Sequence, residues 1–231
     1  MRKIVSNAQE AVAEIKNGST VMVGGFGLCG IPENLIAALA ERKIKDLTLI
    51  SSHAGVEDFG VGLLLEKRQV RRMIATHIGG NRLCEKLVLA GKLQIELNPQ
   101  GTFAERIRAG GAGLGGFFTP TGAGTIVAEG KEIRSWDGKY YVLELPLRAD
   151  FALIKAWRGD HLGNLVYRKT SQNFNPVMAT AAKITVAEVE ELVEPGQLDP
   201  DAIHTPAIYV HKILEGSHYQ KRLEITRKET S

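Results

Sequence analysis

A glycine-rich loop after a short apolar run is the part of this sequence best suited to chemistry. The run Val21–Val23 leads into four glycines within seven residues, Gly24, Gly25, Gly27 and Gly30. Glycine tolerates positive φ and lets a ligand approach the backbone closely. Pro32, followed by an amphipathic segment, predicts the first turn of a helix. The loop amides and the positive end of that helix would therefore face a negative charge or a developing oxyanion.

The same loop matches a dinucleotide-binding pattern, because Gly25-Phe-Gly-Leu-Cys-Gly30 fits G-x-G-x-x-G. A dinucleotide site also needs an acidic residue at the end of the next strand, about 20 residues further on. The next predicted strand ends instead in Ser51-Ser52-His53. An NAD-dependent oxidoreductase is therefore an alternative that lacks half of its expected site. A purely structural strand-to-helix turn is the second alternative.

Two further loops place polar side chains where strands are predicted to end. Ser52 and His53 follow the apolar run Leu47–Ser51, and Gln100 and Gly101 follow an alternating run. Ligands of open α/β sheets bind at the carboxyl ends of the strands. These four are therefore candidate substrate-binding residues. The Gln100 amide suits a carboxylate or carbonyl because it both donates and accepts hydrogen bonds. A simple turn role for Gln100 and a polar strand-end role for His53 remain open.

No reactive group accompanies these loops in the sequence. Cys29 lies in the glycine loop, but no base or orienting partner for a cysteine nucleophile is identifiable, so we expect a packed thiol. The six histidines and two cysteines show no metal-ligand spacing, so no metal site is predicted. No carboxylate has the local signature of an activated nucleophile. The sequence thus predicts a binding site without a catalytic residue of its own.

Composition predicts a cytoplasmic protein with one α/β domain over residues 1–231. Hydrophobic residues make up 44% and charged residues 24% of the 231 positions, ordinary values for a globular protein. No stretch approaches the roughly 20 apolar residues of a membrane span, and the charged N-terminus does not resemble a signal peptide. The net charge of +3 is dispersed, which argues against nucleic-acid binding.

Short apolar runs alternate with helical periodicity, a pattern typical of parallel βα units. We therefore predict an α/β fold with an open, doubly wound, mostly parallel sheet. The predicted strands are Val21–Val23, Leu47–Ser51, Met73–Ile78, Leu93–Leu97, Phe151–Trp157, Leu165–Arg168, Ile184–Val189 and Ala207–Ile213. The predicted helices are Ala8–Asn17, Glu33–Arg42, Arg82–Ala90 and Pro176–Lys183.

The middle of the chain departs from this alternation. Asp137-Gly138 between the segments Lys131–Trp136 and Tyr140–Leu145 predicts an inserted β-hairpin at about residues 131–146. Thr102 and Glu105 form a capping-box pattern, which predicts a short helix from there through Ile107. Residues 110–124 hold seven glycines in fifteen positions. Such a segment suits a mobile lid, a phosphate cradle or an irregular connection.

Several segments together resemble the A (α) subunit of family I coenzyme A transferases, from about residue 5 to the tail. The matching segments are Gly24–Pro32, Gly55–Gly60, Pro99–Thr102, Ala104–Gly113, Thr119–Thr125, Arg148–Lys155 and Asn173-Phe174-Asn175. The Gly27–Glu33 run and the tail Tyr219–Glu224 are most similar to members that move CoA from succinyl-CoA to a 3-oxoacid such as acetoacetate. Members that use acetate with acetoacetate, or 3-oxoadipate, are close alternatives.

The resemblance implies ping-pong chemistry in which a glutamate of a B (β) subunit, in a Ser-Glu-Asn-Gly motif, is the nucleophile. This chain has no such motif, since Ala128-Glu-Gly130 does not match. The resemblance therefore implies a B-subunit partner in an α2β2 heterotetramer, with an acyl-CoA and a small carboxylic acid as ligands. Coenzyme A would be a thioester substrate, and no permanently bound cofactor is expected. A sugar-phosphate isomerase-like or non-catalytic binding protein of similar fold is a more distant alternative.

The resemblance also implies site residues. The glycine loop would form the CoA-facing wall, through Gly24, Gly25, Phe26, Gly27, Leu28, Cys29 and Gly30. Within it, Gly25, Phe26 and Gly27 would support the oxyanion. Ser52, His53, Gln100 and Gly101 would contact the acid. Family members commonly carry Ser-Asn-Asn-Ala-Gly where this chain has Ser51-Ser-His-Ala-Gly55, so Ser52 and His53 are expected to alter acid specificity.

Overall fold

A computed structural model of the chain describes residues 3–222, so the last two residues of the Tyr219–Glu224 motif lie outside the described part. Its strands are β1 (Thr20–Val23), β2 (Leu47–Ile50), β3 (Val70–Ala75), β4 (Gln94–Leu97), β5 (Phe117–Thr119), β6 (Ile133–Trp136), β7 (Lys139–Glu144), β8 (Ala149–Asp160), β9 (Leu165–Val166), β10 (Ala182–Val193) and β11 (Lys212–Glu215). Its α-helices are α1 (Ala8–Ala11), α2 (Glu33–Ala40), α3 (Gly62–Glu66), α4 (Arg82–Leu89), α5 (Gln100–Ala112) and α6 (Asn175–Thr180). Short 3₁₀ helices cover Ile126–Ala128, Lys169–Gln172, Pro200–Ala202 and Ala207–Tyr209.

The main sheet confirms the predicted doubly wound architecture. Its strand order is β11-β10-β8-β1-β2-β3-β4, and every neighbouring pair along this path is parallel. Strand β9 is added antiparallel to β8. The chain builds outward from β1 on one side and then returns to add β8, β10 and β11 on the other. The glycine loop after β1 therefore lies in the middle of the sheet.

Period-two alternation along the central strands divides the apolar core into two layers. Val21 and Val23 face the layer that contains α2, α3 and α4, whereas Met22 faces the layer that contains α5 and α6. Leu49 and Ile50 divide in the same way on β2. Successive side chains of a strand point to opposite faces, so helices on both faces require apolar residues at every position.

Several element boundaries differ from the sequence predictions. Helix α1 ends at Ala11 instead of Asn17, because Val12 and Ile15 are both fully buried and joined by a tight i,i+3 hydrogen bond of 3.1 Å. The predicted strand Ala207–Ile213 begins as a 3₁₀ turn, since Pro206 has no N–H for a sheet and accepts from Tyr209 instead. The remaining predicted strands and helices are present, with ends shifted by a few residues.

Helix α5 begins before the predicted capping box and extends beyond it. Pro99 is its N-cap, and the helix continues for 13 residues to Ala112. Buried Phe103 and Ile107 anchor it to the sheet, so packing overrides the Thr102 cap signal. Although α5 is the longest helix of residues 3–222, none of the helices there has the length and hydropathy of a membrane span.

The inserted hairpin is confirmed and is part of a larger unit. Strands β6 and β7 pair across Asp137-Gly138, both of which have positive φ. Strand β5 pairs antiparallel with β7 on its other side, which makes a three-stranded sheet. The glycine-rich segment 110–124 is therefore the end of α5, a connection and one strand of this sheet.

Candidate functional site

The carboxyl ends of three adjacent strands enclose a cleft of about 600 Å³, which we call the acid cleft. The loops after β1, β2 and β3 and the start of α5 contribute its walls. Its lining residues are Phe26, Gly27, Ser52, His53, Val56, Thr76, His77, Gly79, Gly80 and Gln100. Half of these were candidate residues from the sequence. The strand ends bring the predicted loops together because parallel strands end at the same edge of a sheet.

The glycine loop is a tight turn closed on itself. Phe26 and Cys29 exchange two backbone hydrogen bonds of 3.0 Å, with Gly27 and Leu28 at the tip. Gly25, Gly27 and Gly30 all have positive φ, as glycine at a turn predicts. The N–H of Phe26 therefore already has an acceptor. The N–H groups of Gly25 and Gly27 have none among residues 3–222.

Two buried side chains hold this turn from beneath. Asn175, fully buried at the start of α6, donates to the carbonyl of Gly30 and accepts from the backbone N–H of Lys155 on β8. Ser52 donates to the carbonyl of Gly25 at 3.0 Å and is 2% exposed. The crevice between β1 and β8, where ligands bind in many open sheets, is thus filled by Asn175. The cleft lies on the β2 and β3 side.

Gln100 lies where two clefts meet. Its exposed side chain lines the acid cleft and also a second cleft of about 730 Å³, which shares only Phe26 with the first besides Gln100. Cys29, Ala104 and Phe174 are among the residues that make this second cleft more apolar. Phe26 is 49% exposed and stands between the two spaces. Phe26 and Gln100 can therefore contact a ligand in either of these two clefts.

A third, smaller cleft of about 240 Å³ lies against Leu28, Cys29 and Gly30. Its walls carry five cations, Lys155, Arg168, Lys169, Lys221 and Arg222. Lys155 and Lys221 both pair with Glu190, and Arg222 pairs with Asp58. The predicted CoA-binding residues Phe26–Gly30 thus divide among the three clefts, and Gly24 and Gly25 line none of them.

The expected anion site at the start of α2 is already occupied by the protein. The backbone N–H groups of Asn34 and Leu35 donate to the carboxylate of Glu188, at 3.2 and 2.8 Å. Glu188 belongs to β10 and is fully buried. The prediction that this helix end faces a ligand is therefore wrong, because tertiary structure supplies an internal acid. The turn amides remain the candidate oxyanion donors.

Burial raises the pKa of two side chains, Glu188 and Cys84. Burial raises the pKa of Glu188 to about 7, against the hydrogen bonds from Leu35 and Asn34 and the charge of Lys155. Burial also raises the pKa of the Cys84 thiol to about 11, so this cysteine is a packed neutral side chain. Cys29 is half-buried and lies 3.5 Å from the hydroxyl of Thr170 and 3.6 Å from that of Ser171.

The structure adds residues that the sequence did not single out. Thr76 and His77 line the acid cleft, and Asn175 and Glu188 hold the framework. Only their positions in the sequence could have indicated these residues: Thr76 and His77 follow a strand, and Asn175 and Glu188 are polar residues in apolar surroundings.

The predicted substrate-binding residue Gly101 lines neither of the two clefts that Phe26 separates, and it lies in the exposed first turn of α5. Within residues 3–222 no three His, Cys, Asp or Glu side chains are grouped as metal ligands would be.

Comparison with known proteins assigns this architecture to a family. The family model described as coenzyme A transferase matches residues 5–216. The chain is 53% identical over 224 residues to the A subunit of a probable succinyl-CoA:3-ketoacid coenzyme A transferase of Bacillus subtilis, covering 97% of this chain and 94% of that one. It is 51% identical to the human "Succinyl-CoA:3-ketoacid coenzyme A transferase 2, mitochondrial", covering 96% of this chain and 46% of that one.

A solved structure agrees with the fold. The acyl-CoA transferase of Escherichia coli O157:H7 superposes with a TM-score of 0.83 at 23% identity, covering 93% of this chain and 47% of that one. This chain thus spans about half the length of the E. coli and human proteins and nearly the full length of the Bacillus protein. The extent of the family match and the identity to these relatives lead to one conclusion: the chain belongs to the coenzyme A transferase family.

Proposed function

We propose that this chain is the A subunit of a cytoplasmic two-subunit enzyme that transfers CoA from succinyl-CoA to a 3-oxoacid such as acetoacetate. Its near full-length relatives with that name support the reaction. The longer human relative, of which this chain covers 46%, supports a second half supplied by another chain. We expect that chain to be a B subunit, in an α2β2 heterotetramer.

The observation that carries the half-site proposal is the chemistry of the clefts beside Phe26. The residues that line them offer amides, hydroxyls and imidazoles, but no carboxylate among the described part of the chain. In the third cleft, Glu190 pairs with two lysines, and Glu33 accepts the backbone N–H groups of Gln220 and Lys221. This lining supports the proposal that the nucleophilic glutamate comes from the partner.

The proposed reaction has four steps. The partner's glutamate attacks the acyl carbonyl of succinyl-CoA and releases CoA thiolate, which leaves an acyl-glutamyl anhydride. The thiolate attacks the glutamyl carbonyl and releases succinate, which leaves a glutamyl-CoA thioester. Acetoacetate attacks this thioester and again releases the thiolate. The thiolate then attacks the acetoacetyl carbonyl and regenerates the glutamate.

In each step the oxygen of the attacked carbonyl gains negative charge, and we expect this oxygen to lie beside this chain. The N–H groups of Gly25 and Gly27 are the proposed donors to it, because Cys29 already binds the Phe26 N–H. Removal of one such donor typically slows catalysis by about 10²- to 10³-fold. Gln100 and His53 would position the acid, and the rigid turn would maintain the donor geometry without rearrangement. Coenzyme A enters as a thioester substrate.

The test is reconstitution with the B subunit that carries Ser-Glu-Asn-Gly. We expect acetoacetyl-CoA to form from succinyl-CoA and acetoacetate only in the mixture, with a mass by light scattering that fits two copies of each chain. A variant of the B subunit with glutamine for the motif glutamate is the matched control and should be inactive. Turnover by this chain alone would refute the half-site proposal. Faster transfer to acetate or 3-oxoadipate would refute the proposed acid.

A further inference from the structure

Asn173 has a backbone conformation that few residues adopt. Its φ of 23° and ψ of −120° lie outside the regions that L residues ordinarily occupy. A residue stays in such a conformation only when its surroundings hold it there, and such residues cluster at functional sites. Asn173 is half-buried and follows the 3₁₀ helix Lys169–Gln172 directly before α6. The contacts of its side chain supply the hold.

Every hydrogen-bonding group of the Asn173 amide has a partner. Nδ2 donates to the carbonyls of Cys29 and Thr170, both at 3.0 Å. Oδ1 accepts from the N–H of Phe174 at 2.7 Å and from Nδ2 of Asn175 at 3.2 Å. Because the two carbonyls only accept hydrogen bonds, the amide nitrogen must face them. The side chain thus ties the glycine turn to the start of α6.

The Cys29 carbonyl is the atom that closes the turn. It accepts the N–H of Phe26 at 3.0 Å as well as the Asn173 amide. Gly27 lies inside this closed turn, and its own N–H has no acceptor among residues 3–222. Since a single residue separates Gly27 from Cys29, a fixed Cys29 carbonyl also limits the directions in which the Gly27 N–H can point.

The neighbouring residue Gly30 has no space to move toward this segment. A Cβ at Gly30 would lie 2.6 Å from the carbonyl oxygen of Ser171 and 2.9 Å from Nδ2 of Asn173. The Gly30 carbonyl is held in turn by Nδ2 of Asn175 at 3.0 Å. Two asparagine side chains therefore hold the consecutive carbonyls of Cys29 and Gly30.

We propose that Asn173 is a positioning residue of the transfer reaction, which holds the glycine turn closed so that the Gly27 N–H points at the developing oxyanion. This inference rests on the proposed function and deepens it. Asn173 acts through the Cys29 carbonyl and needs no contact with the substrate. A donor aligned before the reaction stabilises the transition state more than the bound substrate. Loss of Asn173 should therefore lower kcat and leave KM nearly unchanged.

The kinetic test is Asn173→Gly in the complex of this chain with its B subunit. Glycine tolerates the unusual backbone conformation, so this variant removes only the amide side chain. We expect kcat to fall by about 10- to 100-fold, with KM for succinyl-CoA and for acetoacetate changed by less than about twofold. A wild-type kcat would overturn the inference, because Asn173 would then serve only its backbone conformation. A raised KM at unchanged kcat would also overturn it, since Asn173 would then contact the ligand directly.

A second variant, Asn173→Asp, keeps the shape of the side chain. It places a carboxylate oxygen against the carbonyl oxygens of Cys29 and Thr170, where Nδ2 donates in the wild type. We expect kcat to fall at least as far as in Asn173→Gly. Full activity of this variant would overturn the inference, because the shape of the side chain would then suffice.

The matched control is Asp46→Gly. Asp46 is another residue with positive φ, at 60°, and it is exposed and lines none of the three clefts. Replacing it with glycine should keep the wild-type kcat and KM. A similar loss of kcat in Asp46→Gly would show that any such backbone substitution slows the enzyme, and the inference would fall.

Hydrogen–deuterium exchange separates this inference from the proposed function. In the peptide that covers residues 24–30 of the complex, we expect exchange about 3- to 10-fold faster in Asn173→Gly, and unchanged in Asp46→Gly, because the turn opens more often. If the wild-type complex transfers no CoA but this change occurs, the proposed function fails and the hold on the turn stands. If the wild-type complex is active and exchange in Asn173→Gly is unchanged, the inference alone fails.

Discussion

At the scale of single residues, the site depends on polar groups that hold a backbone turn from below. Asn175 joins β8, α6 and the Gly30 carbonyl through one amide side chain. The backbone of Gly24 lies so close to Asn175 that a Cβ at position 24 would be 1.9 Å from Oδ1 of Asn175. Gly24 is therefore required for space, whereas Gly25 and Gly27 have the positive φ of the turn. These are different physical demands within one motif.

The Gly24 contact predicts a clear effect on stability. Gly24→Ala should lower the free energy of unfolding by about 1–3 kcal/mol, because a methyl group must displace Asn175 in a packed site. Urea unfolding measures it. Gly115→Ala is the control, since a Cβ there meets nothing within 4 Å. If Gly24→Ala were as stable as wild type, Asn175 would not fill the crevice as tightly as described.

At the scale of elements, the glycine-rich end of α5 is a close packing surface. A Cβ at Gly110 would lie 2.0 Å from the carbonyl oxygen of Leu147, and a Cβ at Gly111 would lie 2.1 Å from Oγ1 of Thr180 on α6. These glycines let α5 approach α6 and the segment that leads into β8 closely. The helix then ends at Gly113 in the left-handed conformation. The phosphate-cradle interpretation of this part of segment 110–124 is therefore wrong.

Helix propensity and packing make opposite predictions for Gly111→Ala. Alanine favours an isolated helix by about 1 kcal/mol over glycine. Here we expect a loss of about 1–3 kcal/mol in unfolding free energy, because the methyl group would overlap Thr180. Gly101→Ala in the same helix has free space and should be neutral or stabilising. A gain in stability for both variants, measured by urea unfolding, would contradict the close contact.

At the scale of the whole molecule, the last described segment packs against the start of the helix that follows the glycine loop. Residues 216–222 run across the start of α2, where Asn34 exchanges two hydrogen bonds with Ser217. Tyr219 lies over Lys155, with 4.0 Å between the ammonium and the ring centroid. Beneath this segment, Glu188 accepts the helix amides. The segment and Glu188 together enclose the start of α2.

Glu188 predicts a pH dependence of stability with a definite sign. Its pKa of about 7 in the fold exceeds the ordinary 4.5, so the folded state binds the extra proton between these values. The stabilising contribution is complete below about pH 4.5 and disappears as the pH rises through about 7. Relative to Glu188→Gln, the wild type should lose up to about 3 kcal/mol of unfolding free energy across this window.

The control for this measurement is Glu191→Gln, on the same strand and exposed beside Arg158. Urea unfolding at several pH values should give parallel curves for this variant and the wild type between about pH 4.5 and 7, because an exposed ion pair contributes little. Parallel curves for Glu188→Gln as well would contradict a raised pKa at this carboxyl.

The local sequence determined the elements whose signals are short-range. Four glycines after an apolar run predicted the turn, period-two and helical patterns predicted the doubly wound sheet, and Asp137-Gly138 predicted the hairpin. Each depends on residues near one another in the chain, so backbone preferences and alternation suffice. The sequence also predicted a site without its own nucleophile, and the family resemblance predicted a partner subunit that supplies one. Both stay predictions until the reconstitution is done.

Only the tertiary structure determined which distant side chains lie next to each of these local motifs. Glu188 reaches the start of α2 from a strand more than 150 residues further along the chain, and it fills the site that a helix end would offer to an anion. His77 meets His53 because β2 and β3 are neighbours in the sheet. Such contacts depend on strand order and packing, and no local pattern encodes which distant side chain arrives. The sequence therefore predicted where the candidate site lies, and the fold determined which side chains surround it.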